Sequence, residues 1–355
     1  MSRYLSDKLS LLKAYVPGEQ PQDKKYIKLN TNESPFPPSQ GVLDAVASEA
    51  SRLQLYSDPD MRLLRAKLAE IYSVSPECVI VTNGSDEILD FSFLAFCDAE
   101  HPIAFPDITY GFYSVFAALY GIPYEQIPLE DDFSIDVNKY IGINKNIVIA
   151  NPNAPTGLSL SLEDIERIVS SNPDNVVVID EAYVDFGGES AVGLTKKYQN
   201  LLVTGTFSKS RSLAGARLGF GIASPELISD LNTVRCSHNP YNVNRMTGAA
   251  GYAALCDNEY YMDNCKKIIE NREYVKAELK KRDFELTDSK GNFVFAKHAV
   301  VSGEDIYLGL RERGVLVRHF TGARIGDYNR ITVGTREEMC ALLAAIDEIL
   351  GGIKA

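Results

Sequence analysis

The sequence lacks the features that would place this chain in or across a membrane. Its longest apolar stretch, near Ile88 to Cys97, is interrupted by Asp90 and Ser92 and is too short to span a bilayer. The N-terminus, Met1 to Tyr4, opens no apolar signal core. We therefore expect no membrane association and a cytoplasmic location.

Residues that bind metals or form disulfides are also scarce. The chain has six cysteines and four histidines. The cysteines form no C-x-x-C pair and no metal-ligand spacing, and the histidines are scattered along the chain. We expect no metal site, and we expect the cysteines to be reduced thiols in the core.

The chain has fewer positively charged than negatively charged residues. Lysine and arginine number 36 against 48 aspartates and glutamates, which gives a net charge of −12. Such an acidic chain is a poor partner for nucleic acid or an anionic membrane. An acidic protein that binds an anionic ligand must gather its arginines locally, so the position of each arginine matters.

What the chain does have is a repeated pattern of strand, turn and helix. Val79–Thr82 is a β-branched strand, Asn83-Gly84-Ser85 forms a turn, and helical spacing follows from Asp86. The free amides at such a helix start, near residues 84 to 86, are suited to bind phosphate. The acidic residues of this first turn would favour the helix end by themselves, so this signal alone is weak.

A second strand end carries an amine. The apolar run Leu201–Val203 predicts a buried strand, and Lys209 follows it with a hydroxyl on each side. A lysine at such a position is suited to attack an aldehyde, while Ser208 and Arg217 are suited to hold a phosphate. Pyridoxal phosphate is a ligand that carries both an aldehyde and a phosphate, so it would suit these residues. A solvated Lys/Arg turn is the alternative reading of this stretch alone.

A third buried strand, Val176–Ile179, runs directly into Asp180. Acidic residues at the carboxyl end of such a strand lie where open α/β sheets bind ligands. The rhythm changes after about residue 246, where a small α+β unit follows. We therefore predict a proline-rich N-terminal arm at 1–40, a large domain at 41–246 and a small domain at 247–355.

The ordered set of motifs resembles the fold-type-I PLP-dependent aminotransferases over nearly the whole chain. The residues that carry this resemblance are Asn83-Gly84-Ser85, Tyr110, Pro155-Thr156-Gly157, Asp180-Glu181-Ala182-Tyr183, Ser208-Lys209, Arg217 and Arg330. Within that group, three stretches resemble the histidinol-phosphate aminotransferases: Leu29 to Pro35, Thr206 to Lys209 with Leu213 to Gly215, and Arg330 to Glu338. The resemblance implies an α/β fold with a mostly parallel seven-stranded sheet flanked by helices and a small α+β C-terminal domain.

The resemblance also implies how the cofactor, pyridoxal 5'-phosphate, would be bound. Lys209 would form a Schiff base with it and then move a proton, Asp180 would pair with the pyridine nitrogen, and Tyr183 would hydrogen-bond the phenolic oxygen. Tyr110 would stack on the ring. The phosphate would be held by Gly84, Ser85, Asp86, Ser208 and Arg217, with Tyr56 reaching in from a neighbouring subunit. The arm would then pack on the small domain and the partner of a homodimer with shared sites.

For substrates, the resemblance implies small molecules: histidinol phosphate, 2-oxoglutarate and glutamate. Arg330 would bind the substrate carboxylate, and Arg318 and Tyr15 would recognise the substrate phosphate. Packing roles for Tyr15 and Tyr56 and a surface ion pair for Arg318 are the alternatives. One position departs from the family, because Ala154 stands where asparagine usually precedes Pro-Thr-Gly and touches the phenolic oxygen. Asn153 could compensate, or Tyr183 could hold that oxygen alone.

The resemblance implies the activity of the histidinol-phosphate aminotransferases of histidine biosynthesis, which yields imidazole-acetol phosphate and glutamate in one direction. A threonine-phosphate decarboxylase would use the same fold and also bind a phosphorylated amine. A broad aromatic aminotransferase is a second alternative, because an imidazole pocket need only be a flat apolar slot. A regulatory binding module is disfavoured because Lys209, Asp180 and Arg217 are all present.

Overall fold

A computed structural model describes residues 4–6, 9 and 12–353, so part of the predicted arm lies outside the described residues. The strands are β1 Ile27–Lys28, β2 Val79–Thr82, β3 Ile103–Pro106, β4 Tyr124–Ile127, β5 Asn146–Ala150, β6 Val177–Asp180, β7 Leu201–Thr206, β8 Gly219–Ile222, β9 Phe284–Leu286, β10 Phe293–His298, β11 Val315–Leu316, β12 Arg318–His319 and β13 Asn329–Thr332. The helices are α1 Gln40–Ala50, α2 Arg62–Tyr72, α3 Ser85–Phe96, α4 Phe112–Tyr120, α5 Leu162–Ser171, α6 Pro225–His238, α7 Arg245–Cys256, α8 Asn258–Lys280, α9 Gly303–Glu312 and α10 Arg336–Ile353.

The large sheet has seven strands in the order β2-β8-β7-β6-β5-β3-β4. All pairings among β4, β3, β5, β6 and β7 are parallel, whereas β8 runs antiparallel to both of its neighbours. Side chains on both faces are buried, because one hydrophobic cluster contains Ile147 and Ile179 and another contains Val148 and Val178. The sheet is therefore covered on both sides by helices, as the resemblance implied.

Serine side chains cap two helices of the large unit. Ser161 caps α5 by accepting a hydrogen bond from the Asp164 amide at 3.1 Å. Ser224 caps α6, whose first residue is Pro225. These caps satisfy amides that a helix start leaves free, and they fix where the helices begin.

The small unit is built on a four-stranded antiparallel sheet in the order β12-β13-β10-β9. The segment 315–319 is divided between β11, which pairs in parallel with β1, and β12, which pairs with β13. Leu29 of the arm is buried in the hydrophobic cluster of this unit. The described part of the arm thus packs on the small unit through both backbone pairing and side-chain burial.

The packing favours a later domain boundary than the predicted one at 246/247. Helix α7 packs against α1 and α2, and its residues Ala250 and Ala254 belong to the hydrophobic cluster under the large sheet. Along α8, Tyr261 belongs to that same cluster, whereas Ile268 and Val275 belong to the cluster of the small unit. The boundary between the large and the small domain therefore falls within α8, although the division into two domains stays a prediction.

The cysteine prediction was partly wrong. All six cysteines are free, but only Cys265 is buried, and Cys236, Cys256 and Cys340 are exposed. A cysteine's position in an amphipathic helix decides its exposure, which the missing C-x-x-C spacing could not reveal. In the part of the chain that the structure describes, no helix is long and apolar enough to cross a membrane, and no cluster of potential ligands could hold a metal ion.

Candidate active site

The candidate site lies at one edge of the large sheet. Strands β2, β3, β5, β6 and β7 all end at this edge, because they run in the same direction. The segments that follow them carry the predicted residues. Ligands of open α/β sheets bind at the carboxyl ends of the strands, so this edge is the expected position.

Lys209 lies in the turn that follows β7. The Thr206 hydroxyl shapes this turn, because Oγ1 accepts from the Ser208 amide at 3.1 Å and lies 3.0 Å from the Ser208 hydroxyl. Lys209 itself is half-buried, and its Nζ donates a hydrogen bond to the main-chain oxygen of Thr31 at 3.0 Å. The amine is thus held between the end of β7 and the N-terminal arm.

The predicted phosphate seat is assembled from three segments. Gly84 precedes α3 with φ +80°, a left-handed conformation suited to glycine, and no side chain caps this helix start. A Cβ at Gly84 would lie 2.7 Å from Nη2 of Arg217, so the two residues are in direct contact. The Arg217 guanidinium lies 3.5 Å from the Ser208 hydroxyl and pairs with the Asp86 carboxylate at 3.1 Å. Free helix amides and an arginine here favour an anion.

Asp180 is a buried carboxylate at the end of β6. Its Oδ2 accepts a hydrogen bond from the Tyr113 hydroxyl at 3.0 Å, and its Oδ1 accepts from the Thr204 hydroxyl and the Ala182 amide, each at 3.3 Å. Burial raises the pKa of Asp180 to about 6, while these hydrogen bonds oppose the shift. A carboxylate with this environment is suited to a cationic partner, such as a protonated ring nitrogen.

Tyrosines form one wall of the site. The Tyr110 hydroxyl donates to Asp86 at 2.8 Å, and burial raises the pKa of Tyr110 well above its usual range. Tyr15, from the arm, packs on Phe112 with ring centroids 4.5 Å apart. Tyr183 lines the same chambers, with its hydroxyl 3.0 Å from the side-chain amide of Asn32. The packing role considered for Tyr15 is present, yet the ring also faces the cavity.

Two arginines line the other end of the site. Arg330 is half-buried overall, and its Nη2 donates to the Asn30 oxygen at 3.1 Å, while its Nε has no hydrogen-bond partner among the described residues. Burial lowers the pKa of Arg330. The Arg318 guanidinium donates to the main-chain oxygens of Val16 and Pro17, each at 3.3 Å. No ion pair holds either guanidinium within the described residues, so both retain donors for an anionic ligand.

These residues surround two adjoining chambers. The first, of about 480 Å³, is lined by predicted cofactor residues: Ser85, Asp86, Tyr110, Asp180, Tyr183, Ser208, Lys209 and Arg217. The second, of about 350 Å³, is lined by Arg318 and Arg330. Tyr15, Tyr110, Tyr183 and Lys209 line both. The amine therefore lies where the cofactor chamber meets the arginine chamber.

Tyr56 lies apart from this cavity. Its side chain is 78% exposed and stacks on Tyr241 with ring centroids 4.5 Å apart. It lines neither chamber of its own chain. A role at the phosphate would require a second subunit, and this part of the sequence prediction stays untested.

Asn153 is turned away from the compensating role that the sequence left open. Its amide nitrogen donates to the Ile108 oxygen at 2.9 Å and lies 3.1 Å from the Thr156 hydroxyl, and its Oδ1 accepts from Thr109 at 2.8 Å. Every polar atom of this side chain is engaged in holding the loop. Ala154, in contrast, lines both chambers with a methyl group.

Sequence reasoning missed three contributors to the site. Tyr113 donates to Asp180, Thr31 holds Lys209, and Asn32 holds Tyr183. Thr31 and Asn32 lie in the Leu29 to Pro35 stretch that resembles the family. The stretch was therefore recognisable in the sequence, but the resemblance assigned no role to these two residues. The contact of Tyr113 with Asp180 could not be predicted, because a tyrosine in a helical pattern usually indicates a packing residue.

Comparison with known proteins decides the family. The family described as aminotransferase class I and II matches residues 24–346. This chain belongs to the class I and II aminotransferases. Histidinol-phosphate aminotransferase of Brachyspira hyodysenteriae is 49% identical over 352 residues, covering 99% of each chain. Histidinol-phosphate aminotransferase of a Marinomonas species is 50% identical, covering 98% of this aminotransferase and 99% of that protein.

Solved structures agree on the fold. Histidinol-phosphate aminotransferase from Sinorhizobium meliloti, solved in complex with pyridoxal-5'-phosphate, matches with a TM-score of 0.86 at 24% identity, covering 93% of this chain and 92% of that one. A structure titled as a putative histidinol-phosphate aminotransferase from Erwinia carotovora matches with a TM-score of 0.85 at 25% identity, covering 92% and 97%. This aminotransferase thus shares the fold across both of its units.

The residues of this aminotransferase fit pyridoxal 5'-phosphate. An aldehyde would find Lys209, and a ring nitrogen would find the buried Asp180 carboxylate. A phosphate would lie beside the Arg217 guanidinium and the main chain at the start of α3. The main chain of Gly219 packs closely against Gly84 and the residue after it, since a Cβ at Gly219 would collide with both. Each reactive part of the cofactor therefore has a matching group on the same cavity.

Proposed function

We propose that this chain is a homodimeric, cytoplasmic histidinol-phosphate aminotransferase. It transfers an amino group between L-histidinol phosphate and 2-oxoglutarate, giving imidazole-acetol phosphate and glutamate in histidine biosynthesis. The observation that carries the substrate assignment is that Arg318 and Arg330 line one chamber with Lys209. The relatives named histidinol-phosphate aminotransferase, at 49% and 50% identity over nearly the whole chain, support the same activity.

The two arginines supply the anion recognition that this substrate pair needs. Histidinol phosphate carries a phosphate where the amino acid carries a carboxylate, and planar guanidinium groups bind both anions through paired hydrogen bonds. Arg330 is held from behind by the Asn30 oxygen, and Arg318 by the Pro17 oxygen. Each guanidinium therefore retains N–H groups that can donate to the ligand.

When bound, pyridoxal 5'-phosphate supplies an aldehyde that accepts the amino group and a ring that accepts an electron pair. Lys209 provides the amine that anchors it and moves the proton at the substrate's α-carbon. Asp180 keeps the ring nitrogen protonated, and Tyr183 donates to the phenolic oxygen. Ser208 and Arg217 would hold the phosphate on the cavity that Lys209 also lines, and so limit how the cofactor can be oriented.

The proposed dimer contact is a surface separate from the cavity. Leu55, Tyr56 and Leu63 are 51%, 78% and 74% exposed around the start of α2, beside a groove of about 300 Å³ lined by α1 and α7. Large exposed apolar side chains grouped in this way mark interaction surfaces. A second copy of the chain placed here would cover them and bring Tyr56 toward the neighbouring cavity.

The deciding experiment is a single half-reaction with the cofactor-loaded protein. Mixing it with L-histidinol phosphate alone should abolish the visible cofactor band and release stoichiometric imidazole-acetol phosphate. L-histidinol, which lacks the phosphate, should react much more slowly at equal concentration. Carbon dioxide release from O-phosphothreonine would instead identify the decarboxylase, and equal rates with phenylalanine would identify a broad aromatic aminotransferase.

A matched pair of variants locates the phosphate contact. Arg318→Gln should raise KM for histidinol phosphate by about 10- to 100-fold, the size expected for lost hydrogen bonds to a charged group. Arg313→Gln, on the surface, breaks an ion pair with Glu348 and should leave KM unchanged. An unchanged KM in both variants would remove Arg318 from the phosphate site.

A further inference from the structure

A closed hydrogen-bond relay connects the arm, the small unit and Tyr183. The Asn32 amide donates to Oγ1 of Thr332 at 2.9 Å, and the Thr332 hydroxyl donates to Oδ1 of Asn32 at 3.0 Å. Nδ2 of Asn32 then donates to the Tyr183 hydroxyl oxygen at 3.0 Å. The three residues are separated by more than 140 positions in sequence, so only the tertiary fold creates the relay.

The relay has a fixed direction. A main-chain N–H only donates, so the Thr332 oxygen must accept from it and its own hydrogen is free for Asn32. Oδ1 of Asn32 must therefore face Thr332, which turns Nδ2 toward Tyr183. Because Nδ2 only donates, the Tyr183 oxygen accepts there, and its own hydrogen points elsewhere. The hydroxyl of Tyr183 is thereby left as a donor to the cavity it lines.

Asn32 is held firmly in this position. It is 1% exposed and adopts φ +54°, a left-handed conformation that asparagine tolerates better than most residues. Its main-chain oxygen accepts from the Asn292 amide at 3.0 Å. Phe293 packs edge-on against Tyr183 with ring centroids 5.1 Å apart. The donor and the ring that it orients are thus both fixed by the small unit.

Neither residue 153 nor residue 154 offers a free side-chain amide to the cavity. Ala154 lines both chambers with a methyl group, and the Asn153 side chain is engaged with Thr109, Thr156 and the Ile108 oxygen. The hydrogen bond that a side chain at residue 154 would give to a ligand is therefore missing. The Tyr183 hydroxyl lines both chambers, and its hydrogen is left free by the bond it accepts from Asn32.

We propose that Asn32 is a positioning residue that acts through Tyr183 and makes up for the missing amide at residue 154. By accepting from Asn32, the Tyr183 hydroxyl is directed to donate to the phenolic oxygen of the cofactor. This inference rests on the proposed function, because it requires bound pyridoxal 5'-phosphate. It differs from that function in assigning the control of the phenolic oxygen to the N-terminal arm.

The effect is readable in the cofactor's spectrum. A hydrogen bond donated to the phenolic oxygen stabilises negative charge there, so it lowers the pH at which the visible cofactor band titrates. Tyr183→Phe should raise the pKa of that band by about one pH unit, the equivalent of one ordinary hydrogen bond. Asn32→Gly deletes the side chain while keeping the left-handed backbone, and should raise the pKa in the same direction by a smaller amount.

Three further variants make the test decisive. Asn32→Asp places an acceptor against Tyr183, draws the hydroxyl hydrogen away from the cavity, and should match Tyr183→Phe. In the double variant Asn32→Gly/Tyr183→Phe, the pKa should equal that of Tyr183→Phe alone. Adding Ala154→Asn to Asn32→Gly should return the pKa toward the wild-type value. Affinity of the cofactor-free protein for pyridoxal 5'-phosphate should follow the same order.

The outcomes separate the two proposals. Asn144→Gly removes another left-handed asparagine, with φ +51° at an exposed site, and should leave the titration unchanged. A wild-type protein that forms no visible band with the cofactor would overturn the proposed function. A normal band whose pKa is unmoved by Asn32→Gly and Asn32→Asp, or additive effects in the double variant, would overturn the role of Asn32 alone.

Discussion

Nζ of Lys209 lies 3.0 Å from the main-chain oxygen of Thr31, so the amine at the end of β7 is bound by the N-terminal arm. The next residue of the arm, Asn32, binds Tyr183, and the preceding residue, Asn30, binds Arg330. Three consecutive arm residues therefore contact the amine, the tyrosine and the arginine of the site. Docking of the arm through β1 on β11 thus organises the site as well as the small unit.

Replacing Lys209 with alanine should remove both the anchoring amine and the proton-transfer group. Under the proposed function both roles belong to this one side chain, so we expect activity to fall by at least about a thousandfold. Turnover and the visible spectrum of protein incubated with pyridoxal 5'-phosphate measure the effect. Lys196→Ala, which removes an exposed lysine of the same sheet region, is the matched control and should behave as wild type. Normal turnover without Lys209 would exclude it as the nucleophile.

Cofactor affinity should depend on the ionisation of Asp180. The pKa of Asp180 is raised by burial from its ordinary 3.8 to about 6 in the cofactor-free protein, so the carboxylate is protonated as pH falls below about 6. A protonated carboxyl cannot pair with the ring nitrogen, and affinity should drop between pH 7 and pH 5. Calorimetric titration with pyridoxal 5'-phosphate over this window measures it.

Two variants isolate the Asp180 contribution from the titrating phosphate of the ligand. Asp180→Asn should bind weakly and lose the part of the pH dependence that belongs to this group. Tyr113→Phe removes a hydrogen bond that lowers the pKa of Asp180, so the drop should begin at higher pH. Identical pH profiles for Tyr113→Phe and wild type would contradict this assignment.

Glu181 should make the protein less stable in alkali. Burial raises its pKa from 4.5 to about 8, although it accepts hydrogen bonds from the Ser190 hydroxyl and the Ala191 amide. Between these two values the folded state holds a proton that the unfolded state has released, so stability falls as pH rises through this window. Glu181→Gln should flatten the fall in Tm between pH 6 and pH 9. A Tm that falls equally in both proteins would show that other groups cause it.

Tyr56 should affect the cofactor without affecting the fold. Its side chain is 78% exposed on its own chain, and substitutions at such sites usually change stability by less than about 0.5 kcal/mol. If the sites are shared, Tyr56→Phe should weaken cofactor affinity while Tm of the cofactor-free protein stays constant. Tyr124→Phe, at a tyrosine of β4 that is 46% exposed, serves as the comparison. Light scattering should give the mass of a dimer in both.

The chain order of strands and turns was readable from the sequence because each signal is local. The β-branched run before Asp180 indicates burial on both faces, and the Gly84 turn directly precedes its helix. Reactive groups that directly follow such strands, such as Lys209, are brought to one edge by parallel pairing alone. The fold class and the position of Lys209, Asp180 and Arg217 around one cavity were predictable for this reason.

Which partner each of these groups would have was decided by the tertiary structure. Tyr113 reads as a packing residue of α4 until β6 places Asp180 against its hydroxyl. Asn153 looks able to replace the amide missing at Ala154 until the loop turns its side chain toward Thr109. A hydrogen bond requires its distance to be right within a few tenths of an ångström and its direction within a few tens of degrees. Residues tens of positions apart meet these requirements only through packing. The sequence by itself determined which chemical groups this protein carries, and the fold decided which of them are held, and by what.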